Sequence, residues 1–207
     1  MNNRHSAITD LAYIAVFAAL IIVLAFVYIP SGTPGVPIVL QNAAIILAGL
    51  ILGARRGFLT TALFLFIGLI GLPVLAGGRT TLAALAGPTA GYLVGYLAAA
   101  FLAGLIAYRA PRNNRAAMIG IFLIAGLVGL LSMYVFGALG LMLRAGMDLG
   151  AAIVAQAPFV IPDLIKTVVM VFIAVGVHAA FPQLRGAKPK AKTKAQVTQQ
   201  PEGTPKA

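Results

Sequence analysis

Six apolar stretches, each near the length that a helix needs to cross a lipid bilayer, divide this chain. Covering about 30 Å of hydrocarbon takes about 20 apolar residues in a helix. Only 9% of the 207 residues are charged and 61% are hydrophobic, whereas a soluble domain carries about 25% charged residues. The sequence therefore predicts an all-α membrane protein with six transmembrane helices. The predicted spans are 8–29, 38–52, 58–75, 91–108, 116–143 and 161–181.

Positive charge is distributed unevenly over the connections between these spans. Lysine and arginine are enriched in the cytoplasmic loops of membrane proteins, so their placement predicts orientation. If the N-terminus lies in the cytoplasm, the outer connections hold only Arg79 and Arg144. Both termini are therefore predicted to be cytoplasmic. The basic residues assigned to the inner side are Arg4, Arg55, Arg56, Arg109, Arg112, Arg115 and those of the C-terminal tail.

The outer connections differ from the inner ones in composition. They are residues 30–37, 73–92 and 144–162, which are rich in glycine and proline, and the last two contain apolar segments too short to span a membrane. Backbone that enters a membrane without spanning it must be shielded by protein or line a cavity. We expect these connections to be lid-like loops over a site open to the outside. Ordinary surface loops are the alternative.

Residues 183–207 have a different character. This segment is polar, basic and low in complexity, a composition typical of disorder. We therefore expect a six-helix transmembrane domain over 1–182 and a disordered, basic, cytoplasmic tail over 183–207. The tail is expected to be an inert extension, with contact to anionic lipid as the alternative.

An aspartate and a lysine, Asp163 and Lys166, stand at the head of the last span, in FVIPDLIKTVVMVF. Pro162 suits the first turn of a helix, so this span is expected to begin near residue 161. A spacing of three places both side chains on one face, in the outer half of the membrane. Because ionisable groups inside a membrane are costly, they predict a functional site. A local ion pair, with the lysine reaching towards the interface, is the plainer alternative.

Other polar side chains on the predicted outer side are placed to join this pair. Gln41 lies near the start of the second span, with Asn42 beside it. Arg79 follows the third span, and Tyr92 lies at the start of the fourth. Each alone has a simple structural explanation, such as an interhelical hydrogen bond, a solvated charge or an interface anchor. Together, an amide, a guanidinium, an ammonium and a carboxylate around one mouth favour a small ligand with a polar ring and a carboxylate.

Composition and missing motifs exclude several classes of protein. Four acidic residues and no cysteine leave little for carboxylate-pair catalysis, thiol chemistry or a metal site. The net charge of +11 lies in loops and the tail rather than on a folded face, which argues against nucleic-acid binding. No G-x-x-x-x-G-K-S/T motif occurs, so the chain does not hydrolyse ATP through a P-loop. We therefore predict neither a cofactor nor a bound metal.

An intramembrane serine protease is the enzymatic alternative. Ser132 in the fifth span and His178 in the sixth are candidates for a catalytic dyad inside the bilayer. GLLSMYV lacks the G-x-S-x-G turn, however, and His178 lies near the predicted cytoplasmic end of its span. We therefore predict that the chain is not an enzyme. A scaffold protein that binds no small molecule is the remaining alternative.

One segment closely resembles a known family. IGLIGLPVLAGGRTTLAALAGPTAGYLVGY, residues 67–96, is similar to the signature of the BioY family, the biotin-specific substrate-binding (S) subunits of energy-coupling factor (ECF) transporters. The family's GLPVFAGG and LxGPTGGYLxGF motifs are matched by 71–78 and 85–96. The second and sixth spans, including the acid and the lysine, resemble the family too. Leu75 departs from its usual phenylalanine, Ala90 from its usual glycine, and GGRTT from a more glycine-rich loop.

The resemblance implies a six-helix protein of the cell membrane that captures biotin from outside. Its implied partners are a transmembrane coupling protein and two cytoplasmic ATPase subunits, in agreement with the missing P-loop. Subunits of this class carry an A-x-x-x-A docking motif on the first helix, which Ala15 and Ala19 match. From the residues alone, this pair also fits packing within the chain. A sibling subunit for another vitamin is the nearest functional alternative.

The resemblance also implies roles for the polar side chains. An ionised Asp163 is an acceptor that suits the ureido N–H groups of biotin. Lys166 then suits the ureido oxygen, which leaves Arg79 for the carboxylate; the reverse assignment puts Lys166 on the carboxylate. Gln41 and Tyr92 are expected to complete the pocket.

Overall fold

The structure, a computed structural model, describes residues 2–29 and 38–185 and is built almost entirely from helices. Strands β1 (Tyr28–Ile29) and β2 (Ile38–Val39) pair antiparallel, with Tyr28 opposite Val39. The predicted loop 30–37 and residues 186–207 of the predicted tail lie outside the described residues. The α-helices of the described part are α1 (Asn2–Ala25), α2 (Gln41–Leu52), α3 (Ala54–Leu69), α4 (Thr81–Ala86), α5 (Ala90–Ala107), α6 (Arg115–Ala145), α7 (Leu149–Val154) and α8 (Ala157–Ala180).

Four of these helices are long and apolar enough to cross a membrane. They are α5, α6, α8 and residues Ala7–Ala25 of α1, and they confirm the prediction of an all-helical membrane protein. Helix α2 has 12 residues and α3 has 16, so both are shorter than a usual span. Helix α3 ends before the predicted residue 75 because Gly71 adopts a φ of 103° and Pro73 does not continue a helix.

Helix α2 is apolar around its circumference and is enclosed by the other helices. It packs against α1, α3, α5, α6 and α8, and Ile45, Ile46 and Leu50 are almost completely buried. A helix that is hydrophobic all round belongs in a core. Because protein rather than lipid surrounds α2, bilayer thickness does not set its length.

Close contact between α5 and α6 depends on glycine. A Cβ on Gly91 would collide with the carbonyl oxygen of Phe136, and a Cβ on Gly95 would press on the backbone of Met133. Small residues allow two helix backbones to approach this closely. The contact holds the start of α5 against the second half of α6.

The long helices alternate in direction, so the bundle has two ends. Helices α2 and α8 run parallel, because Lys166 contacts Asn42 near their starts and His178 contacts Leu50 near their ends. Helix α5 begins at the same end, which we call the cavity end. Helices α1, α3 and α6 begin at the opposite end, which we call the arginine end. The two short helices, α4 and α7, lie in the connections 73–92 and 144–162, where the sequence predicts apolar segments too short to span.

The arginine end collects the basic residues that are predicted to lie on the inner side. Arg56 in the first turn of α3 forms an ion pair with Asp10 of α1, with 2.6 Å between Nη2 and Oδ1. Both residues of this pair are partly exposed. The other inner arginines with described side chains lie at the starts of α3 and α6 or in the connection between α5 and α6: Arg55, Arg109, Arg112 and Arg115.

Tyr108, just after α5, closes the arginine end. Its hydroxyl lies 2.8 Å from the carbonyl oxygen of Ile51 and 3.2 Å from that of Leu184. Leu184 is buried within a short 3₁₀ turn, Pro182–Arg185, that follows α8. The folded part of the chain therefore continues to Arg185, a few residues into the segment 183–207.

The outward faces of the helices are apolar, as a lipid environment requires. Val16 of α1 and Ile165 of α8 each leave more than 60% of their surface exposed, and Phe172 leaves 58%. Such large exposed apolar surfaces are unusual on a soluble monomer. They agree with a multi-pass membrane protein.

Helix α1 turns Ala15 and Ala19 outward. Its inward face is formed by Ala18 and Ile21, which are almost completely buried, whereas Ala15 and Ala19 are exposed. Packing within the chain is therefore excluded as the role of this pair, and both alanines are accessible to another protein.

Helix α8 begins at Ala157, earlier than the predicted start near residue 161. Pro158 occupies the first turn, where a missing N–H costs no helical hydrogen bond. Pro162 is therefore inside the helix, and Asp163 lies in its second turn. The prediction of a start near residue 161 was wrong because either proline suits a first turn.

Candidate functional site

A cavity opens at the cavity end, between the starts of α2, α5 and α8 and the second half of α6. The segment between α3 and α4 forms another wall. The empty space, including the open mouth, is about 850 Å³, which admits a small molecule. Side chains predicted from separate parts of the sequence converge here, and all five line the cavity: Gln41, Arg79, Tyr92, Asp163 and Lys166.

The Asp163–Lys166 pair lies in the wall formed by α8. Lys166 Nζ is 2.5 Å from Asp163 Oδ1, and the side chains are 11% and 5% exposed, respectively. Burying two charges requires close pairing and further hydrogen bonds for the remaining donors and acceptors. The surroundings of both residues supply these bonds.

Lys166 reaches from α8 to the start of α2. Its ammonium donates to the backbone carbonyl of Val39 over 2.7 Å and to Asn42 Oδ1 over 3.0 Å. An ammonium has three N–H donors and no acceptor. With Asp163 as the third partner, every donor of Lys166 is matched by an acceptor.

Asp163 is also held by α6. The hydroxyl of Tyr134 donates to Asp163 Oδ2 over 2.8 Å. Each carboxylate oxygen accepts about two hydrogen bonds. Both oxygens therefore have one protein partner and retain capacity for a ligand donor.

Gln41, at the start of α2, is 1% exposed. Its amide nitrogen donates to the backbone carbonyl of Val74 over 2.8 Å. This bond ties α2 to the segment that follows α3. Gln41 therefore positions the loop that carries Leu75 and Arg79 into the cavity wall.

That loop makes a tight turn whose conformation requires glycine. Gly77 and Gly78 have φ values of 74° and 71°, in the left-handed region that side chains disfavour. The turn is closed by a bond from the Leu75 N–H to the Arg79 carbonyl, 3.0 Å. Arg79 is exposed and lines the cavity, so its charge is at the mouth rather than at the base.

The start of α5 supplies aromatic and hydroxyl groups. Tyr92 and Tyr96 are one helical turn apart and both line the cavity. Thr89 also lines it, and its Oγ1 is buried with no hydrogen-bond partner among residues 2–29 and 38–185. A buried hydroxyl without a partner is costly, so Thr89 is suited to a ligand.

Sequence reasoning did not select all of the polar lining. Tyr134 was missed, because nothing in an apolar span distinguishes a tyrosine that faces a carboxylate from one that faces lipid. Tyr96 lies in the GPTAGYLVGY segment at a spacing of four from Tyr92, and that spacing was the available signal. For Asn42, the only sequence signal is its place next to Gln41.

The serine protease alternative finds no support in the geometry. Ser132 Oγ donates to the Gly129 carbonyl of its own helix over 2.7 Å. The Nε2 of His178 lies 2.9 Å from the carbonyl oxygen of Leu50, near the arginine end. Neither side chain lines the cavity.

Comparisons with known proteins agree on one family. The sequence model of the BioY family matches residues 1–183. A protein named Biotin transporter BioY from Rhodobacter capsulatus is 46% identical over 175 residues, which cover 80% of this chain and 90% of that protein. A protein of the same name from Rhizobium etli is 37% identical over 179 residues, which cover 84% of this chain and 96% of that protein.

A solved structure has the same fold. It is the S-component for biotin from an ECF-type ABC transporter, and it aligns with a TM-score of 0.73 at 33% sequence identity. The alignment covers 86% of this chain and 95% of that one. Sequence and fold therefore lead to the same conclusion: this chain belongs to the BioY family.

Proposed function

We infer that this chain is the biotin-binding S-component of an ECF-type transporter. The observation that carries the inference is the buried Asp163–Lys166 pair in the wall of an open cavity, in a chain of the BioY family. Relatives that are named biotin transporters align over most of this chain. The chain is a multi-pass membrane protein and not an enzyme.

The ureido ring of biotin is assigned to the base of the cavity. Its N–H groups donate to Asp163, whose two oxygens each keep one free acceptor position beside Tyr134 and Lys166. The three N–H donors of Lys166 already have acceptors, so its main role is to hold the Asp163 side chain in place. Gln41 supports the pocket by positioning the loop that begins at Val74.

The carboxylate of biotin is assigned to the mouth of the cavity. Residues three apart on a helix are only about 5–6 Å apart at Cβ, too close to hold both polar ends of an extended biotin. Arg79 is exposed at the mouth and is suited to a carboxylate. Tyr92 and the apolar lining, including Met133 and Phe159, then enclose the thioether ring.

Six helices are proposed to cross the membrane: α1, α2, α3, α5, α6 and α8. The two short ones, α2 and α3, pack within the bundle, so protein covers much of their surface. The arginines at one end support a cytoplasmic location for that end and for both termini. The connections 73–92 and 144–162 then lie outside as lids over the cavity. The folded domain then extends through the short turn Pro182–Arg185 that follows α8.

Transport requires partners, which we propose to be a transmembrane coupling protein and two cytoplasmic ATPases. The exposed pair Ala15 and Ala19 on α1 provides a flat surface for a helix of the coupling protein. Replacing both with leucine is expected to prevent co-purification with the coupling module and to leave biotin binding unchanged. Retained co-purification would overturn this docking role.

Calorimetric titration of biotin into the detergent-purified chain tests the function. We expect one-to-one binding that is lost in Asp163→Asn, because an amide in place of the carboxylate sets its N–H group against the ureido donors. Asp10→Asn is the matched control, since Asp10 lies at the arginine end in a partly exposed pair. Absence of binding by the folded wild-type chain, or binding only of another vitamin in a ligand panel, would contradict the assignment.

A further inference from the structure

We propose that the side-chain amide of Asn42 donates a hydrogen bond to the ureido oxygen of biotin. Asn42 thereby selects ligands that present a hydrogen-bond acceptor at this position. The proposal rests on the proposed function and adds the donor for the ureido oxygen. It follows from how the hydrogen bonds around Lys166 are distributed.

Lys166 has no donor to spare for the ureido oxygen. Its three N–H groups are taken by Asp163 Oδ1, the Val39 carbonyl and Asn42 Oδ1, at 2.5, 2.7 and 3.0 Å. A ligand oxygen at Lys166 would have to displace one of these partners. The ureido oxygen therefore needs another donor nearby.

Asn42 presents that donor because its amide is held in one orientation. Its Oδ1 accepts from Lys166 and also from the backbone N–H of Ala43, 2.9 Å away. Rotating the amide by half a turn would set its NH₂ group against both donors. The nitrogen Nδ2 therefore remains on the other side, and it makes no hydrogen bond within residues 2–29 and 38–185. Asn42 itself lines the cavity.

The positions of Asn42 and Asp163 match a cyclic urea. The ammonium of Lys166 bonds to Oδ1 of both residues. The carboxylate of Asp163, an acceptor, and the amide NH₂ of Asn42, a donor, are therefore close neighbours. A urea presents N–H groups and a C=O on adjacent atoms. Asp163 accepts from the N–H groups and Asn42 donates to the oxygen, so the site distinguishes a urea from a group with donors on all sides.

The test compares biotin with 2-iminobiotin, in which a protonated imine replaces the ureido oxygen and turns the acceptor into a donor. Calorimetry on the wild-type chain is expected to show biotin bound at least about tenfold more tightly. In Asn42→Asp, the carboxylate still accepts from Lys166 but faces the ligand with an acceptor. Biotin affinity is expected to fall about tenfold or more, whereas 2-iminobiotin affinity is expected to hold or rise.

Two further variants control for charge and folding. Asn114→Asp makes the same substitution at the arginine end, where Asn114 caps α6 through its side-chain oxygen, and it is expected to leave the biotin to 2-iminobiotin ratio unchanged. Asn42→Ser adds no charge and is expected to move the ratio in the same direction as Asn42→Asp. An unchanged ratio in both folded Asn42 variants, with tight wild-type binding, would overturn this inference alone. No binding of biotin by the wild-type chain would overturn the proposed function as well.

Discussion

The two ends of the bundle bury polar side chains in opposite ways. At the arginine end, Tyr108 and His178 reach backbone carbonyls of Ile51 and Leu50, near the end of α2, where a helix leaves carbonyls without intrahelical partners. At the cavity end, Asp163 and Lys166 bond to side chains and backbone around an open space. Buried polarity alone therefore does not mark a site. A binding site is indicated by buried polar side chains that surround a cavity and can still form hydrogen bonds with a ligand.

Removing the charge of Lys166 is expected to have the largest effect. Lys166→Met retains most of the side-chain volume but leaves Asp163 as a buried carboxylate without its cation, a change that costs about 2–5 kcal/mol at comparable sites. The dissociation constant for biotin, measured by calorimetry, is expected to rise about a hundredfold or more. A dissociation constant within about threefold of wild type would show that the pair is only structural.

Two tyrosines, one at each end, give a matched pair of variants with opposite expected effects. Tyr134→Phe removes the hydroxyl that donates to Asp163, and a bond to a charged group contributes about 1.5–3 kcal/mol. Biotin binding is expected to weaken roughly tenfold. Tyr108→Phe removes a bond to backbone carbonyls, so we expect a lower melting temperature and unchanged affinity. Equal loss of affinity in both variants would break the distinction between the ends.

The partly exposed pair Asp10–Arg56 is expected to contribute least. Surface ion pairs contribute about 0–1 kcal/mol, and salt screens them. Arg56→Ala is therefore expected to lower the melting temperature slightly at low salt, to change it little at high salt, and to leave biotin affinity as in wild type. A loss of affinity comparable with that of Lys166→Met would show that the two ends are coupled.

Several features follow from the sequence without a tertiary structure. Four long apolar stretches become helices of span length, because a helix satisfies its own backbone and apolar side chains suit lipid. The sequence also predicts that Gln41, Arg79, Tyr92 and the Asp163–Lys166 pair converge, because polar groups are conspicuous in an apolar chain, and all of them line the cavity. The segment 67–96 also identified the family, which the comparisons confirm.

Other features were decided only by the tertiary structure. Helix α2 can be short because it lies among other helices. Helix α8 begins at Ala157, so Pro158 rather than Pro162 occupies its first turn. The outward position of Ala15 and Ala19, the bond from Tyr134 to Asp163 and the orientation of the Asn42 amide depend on contacts between residues far apart in the chain. A sequence shows which side chains carry donors and acceptors, but only packing decides which of them are paired and which remain for a ligand.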